Sequence, residues 1–155
     1  MIRRMTAAGR SGFSLVEMLI VVTVGGILMT FTVMNASTPR NSYSVGSAER
    51  VFGGLHARAR SLAVETGEIA RLHVDMAGDS VWISSGGDRV DSVDFRDRFN
   101  VDIRGESSTL VICMNPRGFA ERNCNSFASA QRISFVRGGH VRSIQILPLG
   151  QVIYP

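Results

Sequence analysis

Hydrophobic residues crowd one end of this 155-residue chain and then thin into two successive rhythms. From Phe13 to Met34 the sequence reads FSLVEMLIVVTVGGILMTFTVM, with Glu17 as its one charge. As a helix this run would reach roughly 33 Å, about one bilayer hydrocarbon core. Thr38-Pro39-Arg40-Asn41-Ser42 interrupts it, and Pro39 either kinks the helix or makes it end and restart; resumed periodicity favours a kink. From Ser47, Val51, Phe52, Leu55, Ala59, Leu62 and Ala63 recur three or four residues apart. Arg50, Arg58, Arg60 and Glu65 take the other face, and Gly67 is placed to stop the helix.

Beyond Gly67 the period drops to two. Apolar positions fall at Ile69, Leu72 and Val74, at Val81-Trp82-Ile83, at Val93 and Phe95, and at Phe99, Val101 and Ile103. Leu110-Val111-Ile112, Ile133 to Val136, Ile144 to Ile146 and Val152 to Tyr154 follow. Ala77-Gly78-Asp79, Gly86-Gly87-Asp88, Asn115-Pro116-Arg117-Gly118, Gly138-Gly139 and Pro148-Leu149-Gly150 punctuate these runs as turns. The expected fold is α+β: a long N-terminal helix, half anchor and half amphipathic spine, packed on an antiparallel β-sheet head.

Charge adds a topology. Every basic residue is arginine, and the formal charge is +4. Arg3, Arg4 and Arg10 precede the apolar run, whereas only Arg40 lies close after it. That bias places the N-terminus in the cytoplasm and the head outside the inner membrane. Without Met1–Gly12 the chain holds 14 arginines against 13 acids, a net of +1, so the overall basicity is weak evidence for nucleic acid. The oxidising exterior makes a bond between Cys113 and Cys124 plausible; the competing reading is a buried free Cys113 and an unrelated Cys124.

Three readings compete for the first forty residues. A secretory signal peptide calls for a shorter apolar core, and Asn35-Ala36-Ser37 is a poor cut site. A plain signal anchor explains the length and flanking charge but not a glutamate five residues into the run. The third reading does explain it. GRSGFSLVEMLIVVTVGGIL closely resembles the class III signal of type IV prepilins and type II secretion pseudopilins. The resemblance implies that a prepilin peptidase cuts between Gly12 and Phe13 and methylates the new N-terminus on Phe13. It also implies that Glu17 serves filament assembly. A carboxylate inside hydrocarbon costs about 2.5–3.5 kcal/mol, less near the end of a span. The Phe13 amine of a neighbouring subunit would neutralise it, although a carboxylate in a first helical turn is also locally tolerated.

Within that group the chain resembles the GspH/FimT type of minor subunit. The likeness rests on Ala59-Arg60-Ser61-Leu62-Ala63 before Thr66-Gly67, on Asn-Pro-Arg-Gly-Phe at 115–119, and on Pro148-Leu149-Gly150-Gln151-Val152. The implied divisions are a leader over 1–12, a transmembrane and filament-core helix over 13–36, its amphipathic continuation over 37–67, and a β-rich periplasmic head over 68–155. The implied partners are the peptidase, other pilins or pseudopilins, the inner-membrane assembly platform and the membrane itself, crossed once.

Catalytic chemistry is not in evidence in the sequence. His56, His73 and His140 stand apart without metal-ligand spacing, and no nucleophile elbow or phosphate loop is present. Asp88, Asp91, Asp94 and Asp97 recur every third residue, but arginines interleave them and the ordered calcium-loop pattern is missing. Neither an enzyme, a metal nor a cofactor is expected. The head divides by charge: residues 65–106 carry a net of −5 and residues 117–155 a net of +4. Arg132, Arg137 and Arg142 are therefore candidates for partner docking or, as the alternative function, for DNA binding by a minor pilin at a pilus tip in natural transformation.

Overall fold

The computed structural model describes residues 13–34 and 37–155, with the side chains of residues 30–39 outside that description. The leader, Gly12 and the Asn35-Ala36 junction therefore lie outside the described residues. The chain divides into two compact units, residues 1–37 and 38–155.

The first unit holds α1, Leu15–Met34. Ser14 caps it: its carbonyl accepts the Glu17 N–H at 3.0 Å and the Met18 N–H at 3.2 Å, and its hydroxyl lies 3.4 Å from the Glu17 nitrogen. Ser-Leu-Val-Glu is the spacing in which a serine N-cap and an acidic third residue satisfy orphan donors. The Thr23 hydroxyl turns back onto the Leu19 and Ile20 carbonyls at 3.0 and 2.9 Å, so a polar group in an apolar helix is satisfied within its own turn.

The second unit begins within α2, Ser37–Thr66. Pro39 thus falls in the first turn of a helix, where its missing N–H is an orphan anyway. Val45, Ala48, Phe52, Leu55, Ala59 and Ala63 are buried along one stripe. Gly67, at φ 69°, ends the helix and returns its N–H to the Ala63 carbonyl at 3.1 Å.

The strands are β1 Ala70–Asp75, β2 Ser80–Ser85, β3 Asp88–Asp94, β4 Asp102–Gly105, β5 Thr109–Met114, β6 Gln131–Arg137, β7 His140–Ile146 and β8 Val152–Ile153. They form two four-stranded antiparallel sheets rather than one: β3-β2-β1-β5 and β4-β6-β7-β8. Alternate residues face inward, Leu72, Val74, Val81, Ile83, Leu110 and Ile112 from the first sheet and Ile103, Ile133, Phe135, Ile144 and Ile146 from the second. With the α2 stripe they make one core.

One run departs from the period-two reading. Phe95–Phe99 is a short helix, α3, between β3 and β4. Asp94 caps it by accepting the Asp97 N–H at 2.8 Å, and Asn100 closes it in the left-handed conformation at φ 52°. Local capping chemistry outweighs strand propensity there. Phe95 then joins Phe135 (centroids 5.8 Å apart), which meets Phe52 of α2 at 5.7 Å.

Asp79 ties these pieces together from the β1–β2 turn. It is 1% exposed, and its backbone is held at φ 50°. Its carbonyl accepts the Phe95 N–H at 2.8 Å, one carboxylate oxygen accepts the Ile103 N–H at 2.6 Å, and the other pairs with Arg96. One side chain thereby fastens the first sheet to α3 and to an edge of the second. Asp79→Ala is expected to lower the unfolding free energy by roughly 2–4 kcal/mol, because the Ile103 N–H is left buried and unpaired. Asp79→Asn keeps that acceptor and tolerates the left-handed backbone, so it should cost about half as much. Denaturant titration of the detergent-solubilised chain measures both.

His56, on α2, is buried, and its pKa is lowered to about 4 by that burial and by the Arg60 charge, against a hydrogen bond to the Gly150 backbone. The neutral ring is the folded form, whereas the unfolded ring takes up its proton near pH 6.5. Stability from this residue is thus full above about pH 6.5 and falls as the pH drops toward about 4, by up to roughly 3 kcal/mol. Comparing His56→Gln with the parent over that window by thermal unfolding should remove this part of the slope and leave the carboxylate part in place.

Candidate functional site at the N-terminal helix

Phe13 and Glu17 sit at the start of α1, one just outside it and one in its first turn. Phe13 is 73% exposed. Beyond it the apolar surface continues on every side of the helix: Leu15, Val16, Met18, Leu19, Ile20, Val21, Val22, Val24, Ile27, Leu28 and Met29 are all exposed. Apart from Glu17 no side of this stretch is charged, the pattern of a helix that is covered all round. Among the described residues no helix is long and apolar enough to cross a membrane.

The first helical turn also carries the electrostatics of the site. Its free N–H groups and the helix dipole favour a carboxylate at Glu17. Gly12 lies outside the described residues.

The other candidate residues separate. Cys113 and Cys124 are joined in a disulfide with Cα atoms 5.7 Å apart. It closes the loop after β5, where the Cys113 N–H donates to the Asn125 side chain at 2.9 Å and the Glu121 N–H to the Cys113 carbonyl at 2.8 Å. A loop of this size contributes about 2–3 kcal/mol.

The three arginines do not share a surface. Arg137 and Arg142 have the strand parity of Phe135 and Ile144, on the face turned to α2. Arg137 donates to the Ser44 hydroxyl and to the Phe99 carbonyl, both at 2.6 Å, and Arg142 pairs with Glu49 at 3.4 Å. Arg132 points the other way, into a shallow pocket of about 330 Å³ with Arg104, Glu106, Ser134 and Gln145. Counting strand parity from Phe135 was the signal that would have separated them. The aspartates are likewise dispersed: Asp91 pairs with Arg58 at 2.9 Å, Asp94 caps α3, and Asp102 pairs with Arg96 at 3.3 Å. Among the described residues no group of three or more His, Cys, Asp or Glu is arranged to hold a metal ion.

Residues 8–33 match the family described as the prokaryotic N-terminal methylation motif. No curated protein matches the sequence. Two crystal structures of the type IV minor pilin FimU of Pseudomonas aeruginosa share the fold. In one, the superposition has a TM-score of 0.54 at 14% identity and covers 72% of this chain and 87% of that one. In the other, the TM-score is 0.51 at 15% identity, with 71% and 91% covered. The chain thus joins an N-terminal methylation motif to a helix-plus-sheet fold similar to that of these minor pilins.

Proposed function

We propose that this chain is a minor pilin or pseudopilin, a structural subunit of a type IV pilus or a type II secretion pseudopilus. The observation that supports the reading best is the pairing of a methylation motif over residues 8–33 with a minor-pilin fold in the same chain. In this reading a prepilin peptidase cuts after Gly12 on the cytoplasmic side and methylates Phe13. The helix over 13–36 stays in the inner membrane as a single-pass anchor with the head in the periplasm. An assembly platform then lifts the subunit into a filament whose core covers the apolar surface of α1.

Glu17 sets the register. Within a dry filament core an unpaired carboxylate is costly, and the methylated Phe13 amine of the adjoining subunit is a cation of the right sign. The subunit performs no reaction; its work is assembly. DNA binding through Arg132, Arg137 and Arg142 draws no support from an arrangement in which two of the three are committed to α2.

Gly12→Ala is expected to leave the chain at precursor length in cells that contain the peptidase, read by intact mass and N-terminal sequencing. A mature form lacking residues 1–12 in that variant overturns the assigned cut. Glu17→Ala should be cut normally yet enter sheared filaments roughly tenfold less or worse, the worth of a charge-assisted pair shielded from water. Parent-level recovery in filaments would falsify the register role.

A further inference from the structure

Two adjacent glycines, Gly53 and Gly54, stand in the middle of α2, although only proline is a poorer helix former. Gly53 has an internal reason: a side chain there would run into the Tyr154 hydroxyl. Gly54 has none. A Cβ at that position would meet nothing within 4 Å, so its absence serves no packing within the chain. The bare backbone lines a groove of about 460 Å³ between α2 and the β3–α3 segment.

The groove has an apolar floor and a cationic rim. Val51, Leu55 and Val93 make the floor beside Gly54, Leu55 buried and the two valines half-buried. Arg50, Arg58 and Arg98 line the rim, with Asp91 as its one acid. Arg58 already takes Asp91 at 2.9 Å, and that pair adds no net charge. Arg50 and Arg98 remain. The Arg50 Nε donates to the Gly46 carbonyl at 3.1 Å, and the Arg98 guanidinium stands 5.4 Å from the Phe99 ring centre. Neither arginine forms an ion pair among the described residues. The acids nearest to them in sequence are engaged elsewhere: Glu49 pairs with Arg142, and Asp94 caps α3. Two uncompensated guanidiniums over an apolar floor call for a ligand that is acidic and aliphatic at once.

We propose that this groove receives a segment of a neighbouring subunit of different sequence, one that carries an aliphatic side chain next to a carboxylate. The aliphatic group lies over Gly54 against Val51, Leu55 and Val93, and the carboxylate pairs with Arg50 while Arg98 adds to the field. Glycine lets the segment approach the helix backbone closely. An arginine beside a pocket that a partner side chain fills has the composition of an interface hot spot. The inference rests on the minor-subunit reading above and names the chemistry of the neighbour that such a subunit meets.

The chain contains no lysine, so Arg50→Lys gives the full-length protein its one side-chain amine and keeps the charge. In cells that assemble the filament, carbodiimide treatment of sheared filaments should join that lysine to an Asp or Glu of another filament subunit. Peptide mapping should find Leu, Ile or Val within four residues of the joined acid. Adding Gly54→Leu, which fills the groove, should lower the adduct about tenfold per incorporated chain. Gly54→Ala and Gly54→Leu should each raise the thermal midpoint of the detergent-solubilised chain by about 3 °C, since both are better helix formers than glycine. A lowered midpoint would show that Gly54 serves internal packing, and it overturns the proposal. So does an adduct confined to this chain or its copies, one on a segment without an aliphatic residue, or one indifferent to Gly54→Leu. Chain present in filaments without any adduct defeats this contact alone, whereas chain absent from filaments defeats the subunit reading and the contact with it.

Discussion

Along α2, Val45, Ala48, Phe52, Leu55, Ala59 and Ala63 form the apolar stripe that shares one core with the inner faces of both sheets. Phe52 and Leu55 stand between the small residues Ala48 and Ala59 along it, and Phe52 reaches Phe135 of the second sheet. No strand ladder joins the two sheets; side chains link them, and the Ala120 N–H bonds the Leu149 carbonyl between their loops. That makes Asp79 and the Phe52–Phe135–Phe95 contacts more consequential than any single strand pairing. Two of the arginines that looked available for a partner belong to the same arrangement: Arg137 and Arg142 hold the N-terminal half of α2 to the second sheet.

Much of this was legible because it depends on periodicity. The α2 stripe, the stop at Gly67 and the turns at Gly86-Gly87 and Gly138-Gly139 follow from residue spacing and from backbone positions that favour glycine. The methylation motif over residues 8–33 was equally readable, since it is local. What escaped was decided by non-local partners or by short caps. Phe95 and Phe99 fit a strand pattern by spacing, yet Asp94 and Asn100 close a single helical stretch around them. One sheet became two because edge strands end at loops whose direction no hydrophobic pattern encodes. Asp79 reads as an ordinary turn aspartate; only the fold brings the Ile103 N–H and Arg96 to it.

The two units also differ in how their polar groups are satisfied. In α1, Ser14 and Thr23 bond within one turn of their own helix, which leaves Glu17 as the one charged side chain on its described surface. In the head, polar links run between distant segments: Arg60 to Gly150, Asn125 to Pro148, Arg137 to Ser44. A helix that is self-sufficient in hydrogen bonds can exchange one apolar environment for another without losing partners. A head stitched by long-range bonds keeps its own shape independently of that helix.

The loop behind the Cys113–Cys124 bond has a consequence beyond loop entropy. Residues 121–126 run beside the outer edge of β5, where the Ser126 N–H bonds to the Val111 carbonyl and the Asn125 side chain takes the Cys113 N–H. Strand β5, Thr109–Met114, is the most apolar strand in the first sheet, and an open edge on it would template indiscriminate strand addition by other chains. The covalent clasp keeps that edge shut. The head is thereby protected from aggregating through its sheet.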